Sequence, residues 1–383
     1  MNKATFGIIG TGGIAQSQHL PNLSRAPHVH LKTACDMREA VLKEMQAKYG
    51  IPNIVIDHRK LLADPEIQAV VIATRSDMQA KLAIEAMQAG KHVYVEKPLA
   101  DTEAECAAVV AAQKKTKKFA VVGFNRRRAL AYLQAKAALH AHGGPVNIHY
   151  RISDEYWNRG KNNPPGERVI HEVCHVFDIL RWFTDADVHT VYCRTSAQPD
   201  DEFFALEFTS GCIATIMSSG LATMDLPKER FEAITRQKGG VIVEEFTELR
   251  TFGFKDYDDI YLYPGHTHPD RDFDHKYLYG KLGATALLAM RRMGWEIREK
   301  NAAPADPAQP DRREMETFMA DRAPHWNYMV DKGWLAAIDH FAECVLSGAT
   351  PQLAGAQDGL MASVLSHAAI KSRATGEVVK IKP

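Results

Sequence analysis

Histidine and carboxylate side chains recur at helical spacing in one stretch of the chain. A helix predicted over 168–183 contains His171, Glu172, His175 and Asp178, and residues three or four positions apart lie on the same helix face. His171-Glu172-x-x-His175 matches the pattern of zinc proteases, in which two histidines one turn apart bind Zn²⁺ and the glutamate activates water. The plainer alternative is a helix whose histidines are buried and hydrogen-bonded.

A lysine follows a strand predicted over 92–96, within the sequence Glu96-Lys97-Pro98. In an open α/β sheet, ligands bind in the crevice at the carboxyl ends of the strands. A partly desolvated lysine in such a crevice can donate or accept a proton, and Pro98 restricts the backbone just beyond it. The plainer alternative is a solvated lysine that merely ends a strand.

A turn over 266–275 also concentrates histidines and aspartates. Crowded acids and histidines in a turn are more often solvated than metal-bound, and their spacing matches no known metal site. We therefore predict no metal in this turn.

The start of the chain supplies an element that could position a nucleotide. A buried strand over 5–9 is followed by Gly10-Thr11-Gly12-Gly13 and a helix. Gly10 allows a tight turn, Gly12 lets the backbone approach a pyrophosphate, and Ala15 provides the small residue for helix–strand packing. The helix N-terminus adds unpaired N–H groups and a favourable dipole. Asp36 follows the next strand at the spacing expected of a ribose ligand.

Strands and helices alternate as far as residue 123, which predicts a doubly wound parallel sheet covered on both faces. The predicted strands are 5–9, 30–35, 68–73, 92–96 and 119–122, with a weaker one near 54–56. The predicted helices are 13–25, 38–48, 77–89 and 102–115.

After residue 123 the pattern changes to that of an α+β domain with an open, largely antiparallel sheet. Its predicted strands are 146–152, 189–195, 202–209, 212–219, 229–236, 240–246 and 378–381. Its predicted helices are 129–142, 168–183, 331–347 and 355–373. Residues 264–330 are irregular, with one predicted helix over 281–299, and look like an insertion. We predict two domains, 1–123 and 124–383.

Composition excludes several classes of protein. Lys+Arg and Asp+Glu both number 47 in the 383 residues, so no overall charge attracts nucleic acid or an anionic membrane. The six cysteines are scattered without a C-x-x-C pair, which is typical of reduced cytosolic thiols. No signal peptide or membrane-spanning run is recognisable. A soluble, cytoplasmic protein is expected.

Five sequence features occur in a fixed order. They are the glycine loop, Asp36, Ala73-Thr74, an A-G-K-H-V-x-x-E-K-P block that ends at Pro98, and the segment 122–127. This order resembles the Gfo/Idh/MocA family (glucose–fructose oxidoreductase, inositol dehydrogenase and rhizopine catabolism). The resemblance extends over 5–128, is weaker over 166–183 and 331–383, and is absent over 264–330. It implies a Rossmann domain, a nicotinamide cofactor, and an α+β domain whose open sheet often forms the interface of a homo-oligomer, here a dimer or tetramer.

The resemblance also assigns cofactor contacts, which we predict at Gly10, Gly12, Gly13, Ile14, Asp36, Arg38, Thr74, Glu96, Lys97 and Asn125. Asp36 favours NAD because it binds the ribose hydroxyls and repels a 2′-phosphate. Arg38 could accept that phosphate, so NADP is the alternative. Where the family usually shows P-N-x-x-H, residues 75–79 read Arg-Ser-Asp-Met-Gln, which weakens the expectation of a cofactor contact there.

By the same resemblance, His175 is the general base for a substrate hydroxyl, Asp178 orients it, and Lys97 lies beside the nicotinamide and that hydroxyl. The residues predicted to take part in catalysis are Lys97, His171, Glu172, His175 and Asp178. The expected reaction is hydride transfer from a sugar, cyclitol or polyol to NAD. One alternative is a redox-neutral glycosidase, in which transient oxidation acidifies the neighbouring C–H and permits elimination. Another is a non-enzymatic NAD-binding sensor.

The loop before the catalytic helix mixes aromatic, amide and cationic residues. We predict substrate contacts at Arg126, Tyr156, Trp157, Arg159, Lys161, Arg168 and His175. The aromatic rings suit the apolar face of a pyranose, and the cations exceed what a neutral sugar needs, so a substrate with an acidic substituent is the hypothesis. The alternative is that these charges are solvated or paired with neighbouring acids.

Overall fold

A computed structural model describes residues 2–153, 166–198, 201–222, 226–263 and 330–382. The predicted helix at 281–299 and the histidine-rich turn at 266–275 lie outside the described residues. Among the residues described, no helix is both long enough and apolar enough to cross a bilayer.

The first sheet consists of parallel strands. In chain order they are β1 (Ala4–Ile9), β2 (Val29–Cys35), β3 (Asn53–Val55), β4 (Ala69–Ile72), β5 (His92–Val95) and β6 (Ala120–Val122). Their order across the sheet is β3-β2-β1-β4-β5-β6, and each neighbouring pair is parallel. The predicted doubly wound parallel sheet is confirmed.

Helices connect these strands. They are α1 (Leu20–Arg25), α2 (Glu39–Tyr49), α3 (His58–Leu62), α4 (Ser76–Gln88) and α5 (Glu103–Thr116). The helix predicted over 13–25 is divided, because Ala15–His19 is π-helical and α1 follows it. The short helix α3 was not predicted, since five residues are too few to show a helical period.

Local signals explain where these helices begin and end. The Thr102 hydroxyl accepts a hydrogen bond from the Glu105 N–H at 3.3 Å and caps α5. Gly50 ends α2 and Gly90 follows α4, both with the positive φ that glycine adopts without strain. The ends of α2 and α4 determine where the next strands, β3 and β5, begin. They therefore also determine which residues lie at the carboxyl edge of the sheet.

The second sheet is mixed. Its strands are β7 (Pro145–Ser153), β8 (Val188–Thr195), β9 (Asp201–Phe208), β10 (Ile213–Ser219), β11 (Glu229–Thr235), β12 (Gly240–Glu244), β13 (Glu248–Phe252), β14 (Ile260–Leu262) and β15 (Val379–Lys380). Their order is β14-β13-β12-β11-β7-β10-β9-β8-β15. Only β7 and β10 pair in parallel among the strands described, so the largely antiparallel sheet is confirmed.

One face of the second sheet packs against helices. The remaining helices are α6 (Leu130–Ala141), α7 (Cys174–Thr184), α8 (Trp334–Ser347) and α9 (Ala356–Thr375). Phe177 and Phe183 of α7 contact Phe204 and Phe231 of the sheet, with ring centroids 5.8 and 4.1 Å apart. This apolar layer holds α7, and therefore the predicted catalytic residues, rigidly in place.

The last helices return to the first domain. Phe341 of α8 lies 5.9 Å from the rings of both Phe6 and Tyr94, and α9 packs against α5, α7 and β8. Part of the segment after residue 330 therefore completes the core of the first sheet, although the sequence assigns it to the second domain. The boundary at residue 123 stays a prediction.

Candidate active site

The glycine turn is open where a pyrophosphate would approach. Gly10 has a φ of +94°, and a Cβ there would lie 2.3 Å from the Ala73 carbonyl oxygen, so only glycine fits. A Cβ at Gly12 would meet only the Arg38 guanidinium, at 3.9 Å, and one at Gly13 would meet nothing within 4 Å. This accessible backbone fits a dinucleotide phosphate.

Asp36 follows β2 at the rim of this turn. Its carboxylate accepts hydrogen bonds from the N–H and hydroxyl of Thr11 at 2.9 and 3.0 Å. It also accepts from the Arg38 N–H and guanidinium at 2.9–3.0 Å. Burial opposes ionisation, but the hydrogen bonds from Arg38 and Thr11 outweigh it and lower the pKa of Asp36 well below its usual value. The anion suits ribose hydroxyls.

Ile14 and Thr74 lie near the same turn. Both side chains are half-buried, and the Thr74 methyl carbon is 3.2 Å from the position of a Cβ on Gly10. Glu96 is buried and binds His19 with one oxygen. The Asn125 amide donates to the Lys332 carbonyl at 2.6 Å. Glu96 and Asn125 thus have partners within the protein, and their cofactor contacts stay predictions.

Lys97 and the 171–175 segment, which are far apart in sequence, meet in the structure. The Lys97 ammonium donates to the His171 carbonyl oxygen at 2.6 Å and lies 3.9 Å from a carboxylate oxygen of Glu172. An ammonium has three N–H donors, so it can also bind a substrate oxygen. The carboxyl end of β5 therefore lies beside the segment that leads into α7.

The helix that begins this segment is not regular. Val169–Val173 is π-helical and continues into α7 at Cys174. His171 therefore lies in the wider π-helical turn, whereas His175 lies in the α-helix. Among the described residues, the group of donors close enough to share one ion is His28, Asp339 and Glu343. His171 and His175 belong to no such group among the described residues.

Glu172 is surrounded by cations. Its carboxylate lies 2.6 Å from the Lys228 ammonium, 3.9 Å from that of Lys97 and 4.0 Å from the Arg126 guanidinium. Burial raises its pKa, but Lys228, Lys97, His175 and Arg126 together lower it well below the usual range. Glu172 is therefore a fixed negative charge rather than a proton donor at neutral pH.

His175 is buried on α7 with the Phe124 ring 5.6 Å away. Burial, followed by the charges of Arg126 and Lys97, lowers its pKa well below the ordinary histidine value. The imidazole is therefore neutral at pH 7, which is the form that a general base requires.

Asp178 does not orient His175 as predicted. Both of its oxygens accept from the Arg127 guanidinium, at 2.5 and 3.0 Å. Among the described residues, Nδ1 of His175 has no hydrogen-bond partner. The reason is that the 3₁₀ turn Asn125–Arg128 directs Arg127 at α7. Arg127 also lies 3.0 Å from Asp358 of α9, so Asp178 joins elements of the fold instead.

Two arginines predicted to bind substrate are engaged elsewhere. Arg126 makes two hydrogen bonds of 2.7 Å to Glu229. Arg168 is 0% exposed and donates to Ser218 and to the Ile152 carbonyl. Arg168 thus has no exposed surface in this structure, and its substrate contact stays a prediction. Tyr156, Trp157, Arg159 and Lys161 lie outside the described residues.

Sequence spacing overlooks Lys228 and Glu229. Glu229 is 0% exposed at its side chain and binds Arg126, Lys332 and the Tyr150 hydroxyl. The sequence contained a signal for Glu229. It lies two residues before Phe231 in a predicted strand, so both side chains point to the core face. Lys228, one residue before β11, shows no such signal.

Comparison with known proteins agrees with this geometry. Residues 4–124 match the family model described as the oxidoreductase family, NAD-binding Rossmann fold. An uncharacterized oxidoreductase of Bacillus subtilis is 30% identical over 226 residues, which cover 56% of this chain and 66% of the relative. Inositol 2-dehydrogenase of Salmonella typhimurium is 30% identical over 219 residues, 54% of this chain and 64% of the enzyme.

The fold extends beyond the matched sequence. The crystal structure of scyllo-inositol dehydrogenase from Lactobacillus casei, with bound NAD(H) and scyllo-inositol, superposes with a TM-score of 0.69. It covers 99% of both chains at 15% identity. The chain spans slightly less than two thirds of the length of these two curated relatives. Over residues 4–124, the chain is similar to the Gfo/Idh/MocA family of NAD-binding oxidoreductases.

Proposed function

We propose that the protein is an NAD-dependent oxidoreductase that transfers hydride between the nicotinamide and a hydroxyl-bearing carbon of a cyclitol, sugar or related polyol. The observation that supports this most is the contact of the Lys97 ammonium, at the carboxyl edge of the nucleotide-binding sheet, with the His171 carbonyl oxygen and Glu172. The same segment leads into α7, which carries the buried His175. The inositol dehydrogenases among the relatives support the substrate class.

Each of the three side chains has a separate task in this reaction. NAD, when bound at the glycine turn and Asp36, supplies the hydride acceptor. The unprotonated ring nitrogen of His175 takes the proton of the substrate hydroxyl. The Lys97 ammonium donates a hydrogen bond to the same oxygen and stabilises the negative charge that develops there. Glu172 stabilises the imidazolium that forms on His175.

The test is to incubate the purified protein with NAD and a panel of inositols, sugars, polyols and glycosides. We expect NADH to appear with at least one free cyclitol or sugar, in equimolar amount to the ketone formed. Release of an aglycone without net NADH would instead select the redox-neutral glycosidase. NAD binding without turnover of any compound would select the sensor.

Asp36 is expected to set the preference for NAD over NADP. Replacing Asp36 with serine removes the charge that repels a 2′-phosphate and frees the Arg38 guanidinium to bind it. Hydrogen bonds to charged groups contribute about 1.5–3 kcal/mol each, so the ratio of kcat/KM for NADP to that for NAD should rise about 10- to 100-fold. Steady-state kinetics with both cofactors measures this ratio.

Asp57 provides a matched control for this substitution. It binds Arg59, two residues on, through the same N–H, Nε and Nη2 contacts at 2.9–3.0 Å. Because Asp57 caps α3 and not the glycine turn, Asp57→Ser should leave the cofactor ratio unchanged. A ratio unaffected by Asp36→Ser would contradict the assignment of Asp36.

We further propose a homo-oligomer, dimer or tetramer, that assembles through the face of the second sheet turned away from the helices. This face exposes the large apolar side chains of Phe203, Ile213, Met217, Ile234 and Phe252. Met217 lies opposite Phe203 in the register, so the apolar surface is continuous there. Light scattering that shows a monomer at micromolar concentration would exclude this assembly.

The cytoplasmic location expected from the sequence is also a proposal. All six cysteines are buried and none forms a disulfide. Unpaired buried thiols are typical of a reducing compartment. Fractionation of the source cells would test this location.

A further inference from the structure

A buried histidine–glutamate pair connects the nucleotide-binding turn to the segment that carries Lys97. Nε2 of His19 lies 2.6 Å from Oε1 of Glu96, and the two residues are 0% and 3% exposed. The other carboxylate oxygen of Glu96 accepts the backbone N–H of Lys97 at 3.1 Å. Glu96 therefore contacts the His19 ring with one oxygen and the Lys97 backbone with the other.

Packing holds this pair in one arrangement. His19 is the last residue of the π-helical turn after the glycine loop, and its ring meets those of Tyr94 and Trp334 edge-on at 5.9 and 5.4 Å. A Cβ at Gly123 would lie 3.1 Å from Oε1 of Glu96, so the residue that follows β6 also confines the carboxylate. Because the His19 and Glu96 side chains are closely packed on these sides, a shift of one displaces the other.

The consequence concerns the position of Lys97. Its ammonium must lie within hydrogen-bond reach of the reacting oxygen, and a misplacement of about 1 Å can cost about 100-fold in rate. The backbone from which the lysine side chain starts is held by Glu96, and Glu96 is held by His19. His19 itself belongs to the element that follows the phosphate-binding turn.

We propose that His19 is a positioning residue for the hydride transfer: acting through Glu96, it fixes the backbone of Lys97 relative to the nucleotide-binding turn. The proposal rests on the proposed function for its catalytic consequence, but its structural consequence can be measured without turnover.

The kinetic test compares His19→Ala with His19→Gln. The alanine variant should lose about 10- to 100-fold in kcat while KM for the polyol changes little, because the lysine is misplaced but the substrate pocket is intact. The glutamine amide can donate to Glu96 and should restore a large part of the loss. Glu96→Gln, which keeps the shape but cannot accept at both atoms, should lose kcat as His19→Ala does.

His58→Ala is the matched control. His58 binds Glu85 in the same domain through Nε2 at 2.7 Å, but α3 and α4 carry none of the predicted catalytic residues. This variant should retain the kcat of the wild-type protein. Equal losses in His58→Ala and His19→Ala would show a general effect on the domain and overturn the proposal.

The measurement without turnover is hydrogen–deuterium exchange of the peptide that contains the Lys97 amide, with and without NAD. The amide should exchange faster in His19→Ala than in the wild-type protein, and His58→Ala should not change it. Unchanged exchange and unchanged kcat in folded His19→Ala and Glu96→Gln would overturn the proposal. A wild-type protein that oxidises no polyol would overturn the proposed function, and the exchange result would still decide the role of His19.

Discussion

Replacing Lys97 with methionine is expected to lower kcat by about 10²- to 10³-fold. Methionine keeps an unbranched apolar stem but has no N–H group for the oxygen on which negative charge develops, and loss of one such donor typically has this effect. The loss should appear in kcat and kcat/KM alike, because the interaction strengthens in the transition state. Single-turnover measurements of NADH formation would report it directly.

The structure offers a control with the same local chemistry. Lys91 is buried in the same domain, and its ammonium donates to the Asp64 carbonyl at 2.6 Å, as that of Lys97 does to His171. Lys91→Met therefore removes a buried ammonium and leaves a carbonyl without its donor, but away from the site. If Lys97→Met lowers kcat no more than Lys91→Met, Lys97 does not act on the reacting oxygen.

Replacing His175 with glutamine should lower kcat by about 10²- to 10⁴-fold, the usual contribution of a general base. The pH dependence gives a second readout. The base acts unprotonated, so oxidation slows as the pH falls through the pKa of His175 in the folded protein. Burial and the nearby Arg126 and Lys97 lower that pKa well below 6.5, so the acid limb of kcat/KM should lie below the ordinary histidine range.

His92→Gln is the control that shows whether the acid limb belongs to His175 or to another buried histidine. His92 lies at the start of β5, where burial and then Lys118 lower its pKa to about 4. Nδ1 of His92 accepts the Phe119 N–H at 3.0 Å. His92→Gln should leave the acid limb in place, whereas His175→Gln should abolish it. An acid limb that persists in folded His175→Gln would assign the base to another residue.

The sequence by itself determined the elements and the cofactor domain. Short apolar runs predict the strands of the first sheet, and a 3.6-residue apolar period predicts the helices between them. Both patterns can be recognised within a few consecutive residues, without knowledge of the tertiary structure. The turn at Gly10 and the acid at Asp36 are equally local, since each depends on the strand just before it. The short elements α3, β13 and β14 escaped prediction because three to five residues show too little of a period.

Only the tertiary structure decided which charges meet. Asp178 binds Arg127 rather than His175, Arg168 lies wholly inside, and Glu172 gains the ammonium of Lys228. Helical spacing predicts which side chains share one face of a helix. It does not predict which cation from another element binds each carboxylate, and a buried charge requires such a partner. That competition depends on distances between segments far apart in the chain, which spacing along the sequence does not contain.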